Sequence, residues 1–130
     1  MDKRITPERI NHLNKDEIFV FGSNRSGYHG GGAARVAMVR FGAVWGEGLG
    51  RTGQCYAIDT MSGGVETIRP QIDTFIIYAK EHPELKFFVT RIGCGIAGFT
   101  TEEIAPLFKN TVEIENIYLP ISFWKLIDKE

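Results

Sequence analysis

The stretch EIFVFGSNRSGYHGGGAARVAMVRF, residues 17–41, decides the fold class. Glu17–Phe21 is a short apolar run bounded by Asp16 and Gly22, the pattern of a strand buried on both faces. Ala33–Phe41 carries apolar residues at helical spacing, with Arg35 and Arg40 placed outward, and Gly42 reads as its stop. Between strand and helix lies a glycine-rich loop. Its triplet Gly30–Gly32 leaves the following helix N-terminus uncovered by side chains. Free N–H groups and the positive end of the helix dipole there suit an anion such as a pyrophosphate. Gly22 and Ser23 open the loop, and Asn24 can both donate and accept, as a pair of ribose hydroxyls requires. A P-loop is excluded because the GK[ST] ending is absent. The plainer alternative is a flexible surface loop.

Outward from this stretch, strands and helices alternate. Gln54–Thr60 reads as a strand. Val65–Glu81 has Ile68, Ile72, Phe75, Ile76 and Ala79 at helical spacing, with Pro70 expected in the first turn, where a missing N–H is tolerated. Leu85–Ile92 is the strongest strand signal. Thr100 to Glu103 forms a capping box that opens a helix expected to run to about Lys109. Asn116–Ile121 reads as a last strand, and Ser122–Ile127 as a closing helical turn on which Phe123 and Trp124 pack. Such alternation implies an α/β fold with a mostly parallel or mixed sheet covered on both faces. Ligands of such sheets bind outside the carboxyl ends of strands.

A second glycine-rich loop meets that condition. Ile92-Gly93-Cys94-Gly95-Ile96-Ala97-Gly98-Phe99 follows the strongest strand and matches the GxGxxG spacing of a dinucleotide fingerprint. Three features argue against that meaning. The helix cap falls after the third glycine, and little chain remains for the rest of a doubly wound sheet. The acids Glu113 and Glu115 precede the next strand, whereas a ribose-binding acid should lie at its end.

Composition narrows the classes further. The chain has 130 residues, 43% hydrophobic content and a net charge of −1, which fits one globular domain over 1–130 and disfavours a nucleic-acid face. No apolar run approaches a membrane span, and the N-terminal MDKRITPERI lacks the apolar core of a secretory signal. Cys55 and Cys94 make no disulfide framework. The three histidines lack metal-ligand spacing, so a cytoplasmic protein without metal or cofactor is expected. Fifteen glycines are about 12% of the chain where about 7% is average, and they gather beside strands.

Single residues carry two readings each. His29, beside the triplet, is either a general base for a water attacking an anomeric carbon or an ordinary loop histidine. Cys94 is either a nucleophile activated by a helix N-terminus or a small residue in a tight loop. Arg91 either supplies charge to a phosphate or pairs with Asp59 or Glu102. The segment Trp45–Gln54 is either a hinged lid or a plain connection.

Taken together, the strand ending in Ser23-Asn24, the Gly30–Gly32 triplet with Ala33, and the later Ile92–Phe99 loop resemble the macro domain family. The resemblance covers residues 17–109, both loops standing in that family's order, and it is to a short, divergent member. It implies a three-layer α/β/α fold that binds ADP-ribose or a related NAD-derived nucleotide, with hydrolysis of ADP-ribose conjugates as an extension. By the same resemblance Asn24 contacts the distal ribose and orients it for attack. Gly30–Gly32 face the pyrophosphate, Gly93–Gly98 close over it, and Phe99 stacks near the ribose. The family's Gly-Asp-Ile motif, whose acid reads adenine, is absent, and Asp16 or Glu17 are the candidates to replace it. Where one hydrolytic branch has an aspartate after the triplet, this chain has Ala33-Ala34. The alternatives are a binding module without turnover and a nicotinamide-dependent enzyme. No oligomeric state is legible.

Overall fold

A computed structural model describes residues 3–128; Met1, Asp2, Lys129 and Glu130, the ends of the expected 1–130 domain, lie outside the described residues. The chain runs β1 (Glu17–Ser23), α1 (Gly32–Phe41), β2 (Gly50–Thr52), β3 (Cys55–Asp59), α2 (Val65–Glu81) and β4 (Lys86–Val89). Then come α3 (Thr101–Ile104), a 3-10 helix (Ala105–Thr111), β5 (Ile117–Tyr118) and α4 (Ile121–Ile127). The five strands form one mixed, mostly parallel sheet in the order β2-β3-β1-β4-β5. Only β2 runs antiparallel, against β3.

Alternation along β1 builds a core on each face. Ile18 and Val20 join Ile68, Ile72, Phe75, Phe87, Ile104, Phe108 and Phe123 in one cluster, which collects α2, α3 and α4. Phe19 and Phe21 join Ala34, Ala37 and Phe41 of α1 in the other. Full burial of a Phe or Ile contributes about 1.5–3 kcal/mol. The half-exposed Lys3–Asp128 ion pair contributes at most about 1 kcal/mol, so apolar packing holds the sheet together.

Several element boundaries differ from expectation for local reasons. Pro70 lies inside α2, beyond its first turn, because the helix starts at Val65; its ring faces solvent, where the lost hydrogen bond disturbs no packing. The strand expected to reach Ile92 ends at Val89, where a tight turn closes with Ile92 N–H donating to the Thr90 carbonyl at 2.7 Å. The capping box forms as expected at Thr100 and Glu103. The helix it opens lasts only to Ile104 and tightens into the 3-10 helix, with Pro106 in its first turn. The expected strand Asn116–Ile121 shrinks to Ile117–Tyr118, and Pro120 caps α4 one residue earlier than the expected closing turn. The edge strand β2 has no counterpart in the sequence reading. Phe123 and Trp124 are buried as expected, the Trp124 indole donating to the Arg4 carbonyl at 2.8 Å.

One consequence of the topology positions the site. β1 feeds α1 on one face, whereas its neighbours β3 and β4 feed α2 and α3 on the other. Loops leaving adjacent parallel strands toward opposite faces must part, and a crevice opens between them.

Candidate functional site

That crevice is a cleft of about 240 Å³ lined by the loops after β1, β3 and β4. Of the residues expected from sequence, it gathers Gly22, Ser23, Asn24, Gly31, Gly32, Ala33, Arg91, Ile92, Gly93, Gly95, Ile96 and Ala97. It leaves Gly30, Cys94, Gly98 and Phe99 off its wall, and His29 as well. Tyr28, Thr60, Met61 and Thr90 line it without having been singled out. The position of Met61 and Thr60 just past the end of β3 was the available signal, since the same strand-end rule marks all three loops.

α1 supplies the electrostatics. Its cap residue Gly31 is extended, gives no side-chain hydrogen bond, and no acid occupies the first turn. The N–H groups of Gly32, Ala33 and Ala34 therefore have neither intrahelical partners nor a side-chain cap. They open into the cleft with the positive dipole end behind them. From the opposite side the second loop leans across: the Ile96 side chain lies about one van der Waals contact, 3.5 Å, from where a Cβ on Gly31 would stand. Gly93 makes that approach geometrically feasible, with φ +74° and no room for a side chain against Ile104.

Asn24 is occupied in holding its own loop. Its Oδ1 accepts from Tyr28 N–H at 2.9 Å, and its Nδ2 donates to the Tyr28 carbonyl at 3.0 Å. One amide hydrogen and one lone-pair site remain for anything else. His29 is fully buried, and its Nε2–H donates to the Val44 carbonyl at 2.9 Å. Its Nδ1 is buried and without a hydrogen-bond partner. The ring stands edge-on to Phe21 and Trp45. Burial away from the cleft replaces the exposed general base of the sequence reading with a core histidine that anchors the segment after α1.

That segment is pinned, which answers the lid reading. Gly46 N–H donates to the Gly27 carbonyl at 2.9 Å. Gly48 is so close to the first loop that a Cβ would stand 1.9 Å from the Asn24 carbonyl oxygen. Trp45 stacks on Tyr28 with ring centroids 5.3 Å apart, both rings largely exposed at the cleft's rim.

Arg91 donates to the Thr101 hydroxyl at 2.8 Å and pairs with neither Asp59 nor Glu102. Asp59 is buried; it accepts from Met61 N–H at 2.9 Å and from the Ser62 hydroxyl, with Arg25 at 3.9 Å. Burial pushes the Cys94 thiol up, against a smaller opposing pull from Arg91, so the activated-nucleophile reading lacks its physical condition. Asp16 and Glu17 sit at the opposite end of β1 from the loops, and Glu17 accepts from Asn14 N–H at 2.8 Å. They lie at the wrong end of the strand for the adenine-reading role expected of them from sequence.

A larger cleft of about 610 Å³ adjoins the first and shares Ala33, Thr90 and Arg91 with it. Its remaining wall comes from residues 6–11, from Phe19, Val36 and Arg40, and from Pro120, Ile121 and Ser122. Among the described residues, no group of three or more His, Cys, Asp or Glu is placed to hold a metal ion, and no helix is long and apolar enough to cross a membrane. Compared with protein-family models, curated proteins and solved structures, the chain finds no match.

Proposed function

We propose that this protein is a macro-like, three-layer α/β/α module that binds ADP-ribose or a related NAD-derived nucleotide. The observation that carries the reading is the uncapped N-terminus of α1, open to a cleft that the Gly93–Ala97 backbone closes from the other side. A pyrophosphate there accepts hydrogen bonds from the helix N–H groups and meets the helix dipole, with no glycine Cβ in the way. The distal ribose lies toward Asn24 and Tyr28. The adenine half extends into the larger cleft, whose walls Phe19, Val36, Pro120 and Ile121 are apolar. This gives the base a place that Asp16 and Glu17 do not.

Binding without turnover is favoured over hydrolysis by the composition of the smaller cleft. Among the described residues, no carboxylate and no imidazole lines it. His29 is buried behind it, and Ala33-Ala34 stand where a hydrolytic acid would be needed. The nicotinamide-dependent enzyme gains no support, because the second loop closes across the first and does not run into a long helix of its own.

Calorimetric titration of ADP-ribose, NAD, AMP and cyclic ADP-ribose tests the reading. ADP-ribose is expected to bind in the micromolar range or tighter, about −8 kcal/mol. Gly31→Glu, at an extended position that tolerates a side chain, should abolish binding by filling the cleft and adding negative charge at the anion site. Absence of binding by all four nucleotides, or unchanged binding by the variant, contradicts it. Incubation with mono-ADP-ribosylated protein should release nothing.

A further inference from the structure

We infer that the larger cleft is built for a phosphomonoester on the base-side ribose, so that the preferred ligand carries a 2′- or 3′-phosphate beyond its pyrophosphate. This rests on the nucleotide-binding reading above and specifies the ligand class of the same site. The chain as a whole is slightly acidic, with a net charge of −1. Its larger cleft is not: among the described residues, Arg9, Arg40 and Arg91 line it against the single carboxylate of Glu8. All three arginines are exposed, and among the described residues none forms an ion pair. Arg40 reaches the Asn11 carbonyl at a long 3.4 Å, and Arg91 donates to the Thr101 hydroxyl and to the Cys94 thiol, both neutral groups.

Three guanidiniums around one concavity focus a positive potential into it. A neutral base and an unmodified ribose use none of that charge. The pyrophosphate does not need it, because α1 and the second loop already face it. A phosphomonoester brings about two negative charges and three acceptor oxygens, which the planar forks of arginine match.

The test compares ADP-ribose with its base-side 2′-phosphate and 3′-phosphate forms, titrated against wild type, Gly31→Glu and the double variant Arg9→Gln/Arg40→Gln. Both arginines are exposed, so the double variant should fold, which its thermal melt checks. One phosphorylated form is expected to bind wild type about tenfold tighter than ADP-ribose or better, the worth of a charge-assisted contact. That advantage should vanish in the double variant, while ADP-ribose affinity changes little. A preference for the 2′-form points to NADP-derived ligands, and one for the 3′-form to 3′-phosphorylated nucleotides. Equal affinity of all three ligands for wild type overturns this inference and leaves the nucleotide reading intact, as does an advantage that persists in the double variant. Binding that survives Gly31→Glu overturns the nucleotide reading itself, and with it the assignment of the larger cleft.

Discussion

Asn24 and Tyr28 hold each other by a reciprocal pair of hydrogen bonds, at 2.9 and 3.0 Å, so that the side chain expected to read a ribose first shapes the loop that would receive it. Truncation should therefore show in stability as well as in binding. Asn24→Ala is expected to lower unfolding free energy by about 1–2 kcal/mol in urea titrations. It should weaken ADP-ribose by about tenfold or more. A loss of affinity with no change in stability would mean that the loop keeps its form without this pair.

His29 provides the sharpest contrast between a structural and a catalytic role. Removal of its ring leaves a cavity beside Phe21 and strips the Val44 carbonyl of its donor. We expect His29→Ala to cost about 3 kcal/mol, the sum of cavity and lost hydrogen bond. Urea unfolding with an unchanged m-value measures it. A folded variant of wild-type stability would contradict the buried anchor and revive the general base.

Gly48 is the contact through which the segment after α1 braces the first loop. A methyl group there would stand 1.9 Å from the Asn24 carbonyl oxygen, so backbone must move. Gly48→Ala should destabilise by about 3 kcal/mol, at the upper end of overpacking costs. Calorimetry of the folded fraction should also show weakened nucleotide binding, because the displaced atoms belong to the loop that bears Asn24.

The pH dependence has a definite sign on the alkaline side. Burial pushes the Cys55 thiol from its ordinary 9.0 to about 12, and the neighbouring Tyr56 hydroxyl is raised as well, again by burial. Above pH 9.0 the unfolded chain releases the Cys55 proton while the folded protein keeps it. The stabilising contribution is thus fully present below pH 9.0 and is lost as pH rises toward about 12. Urea titrations across that interval should show declining stability, with a shallower decline for Cys55→Ala from its own lower baseline. A thiol reagent near neutral pH should modify Cys55 only after unfolding.

The strand–loop–helix unit of residues 17–41 was legible because its signals are local. The buried run of β1, the glycine triplet and the helical spacing of α1 each lie within one short window. The loop after β4 was legible for the same reason. The fate of His29 was not, since its burial depends on Val44 and Trp45 arriving from beyond α1. β2 escaped because three residues rich in turn signals have no periodicity to read. The bounds of α2 were legible from its helical spacing, but Pro70 falls beyond the first turn in which it was expected. The larger cleft could not be read at all. Its walls join residues 6–11 to Pro120–Ser122, which the Ile5–Leu119 bridge brings together across almost the whole chain.

The central claim is that the backbone N–H groups of two loops hold a nucleotide pyrophosphate between them. Amide chemical shifts of the isotopically labelled protein, followed while ADP-ribose is added, test it residue by residue. The account predicts the largest shifts at Gly32, Ala33, Ala34, Gly93 and Gly95, saturating together, with little change at Gly42 or Gly53, at the far end of α1. Saturating binding with these five amides unmoved, or no shift at any residue, would contradict it.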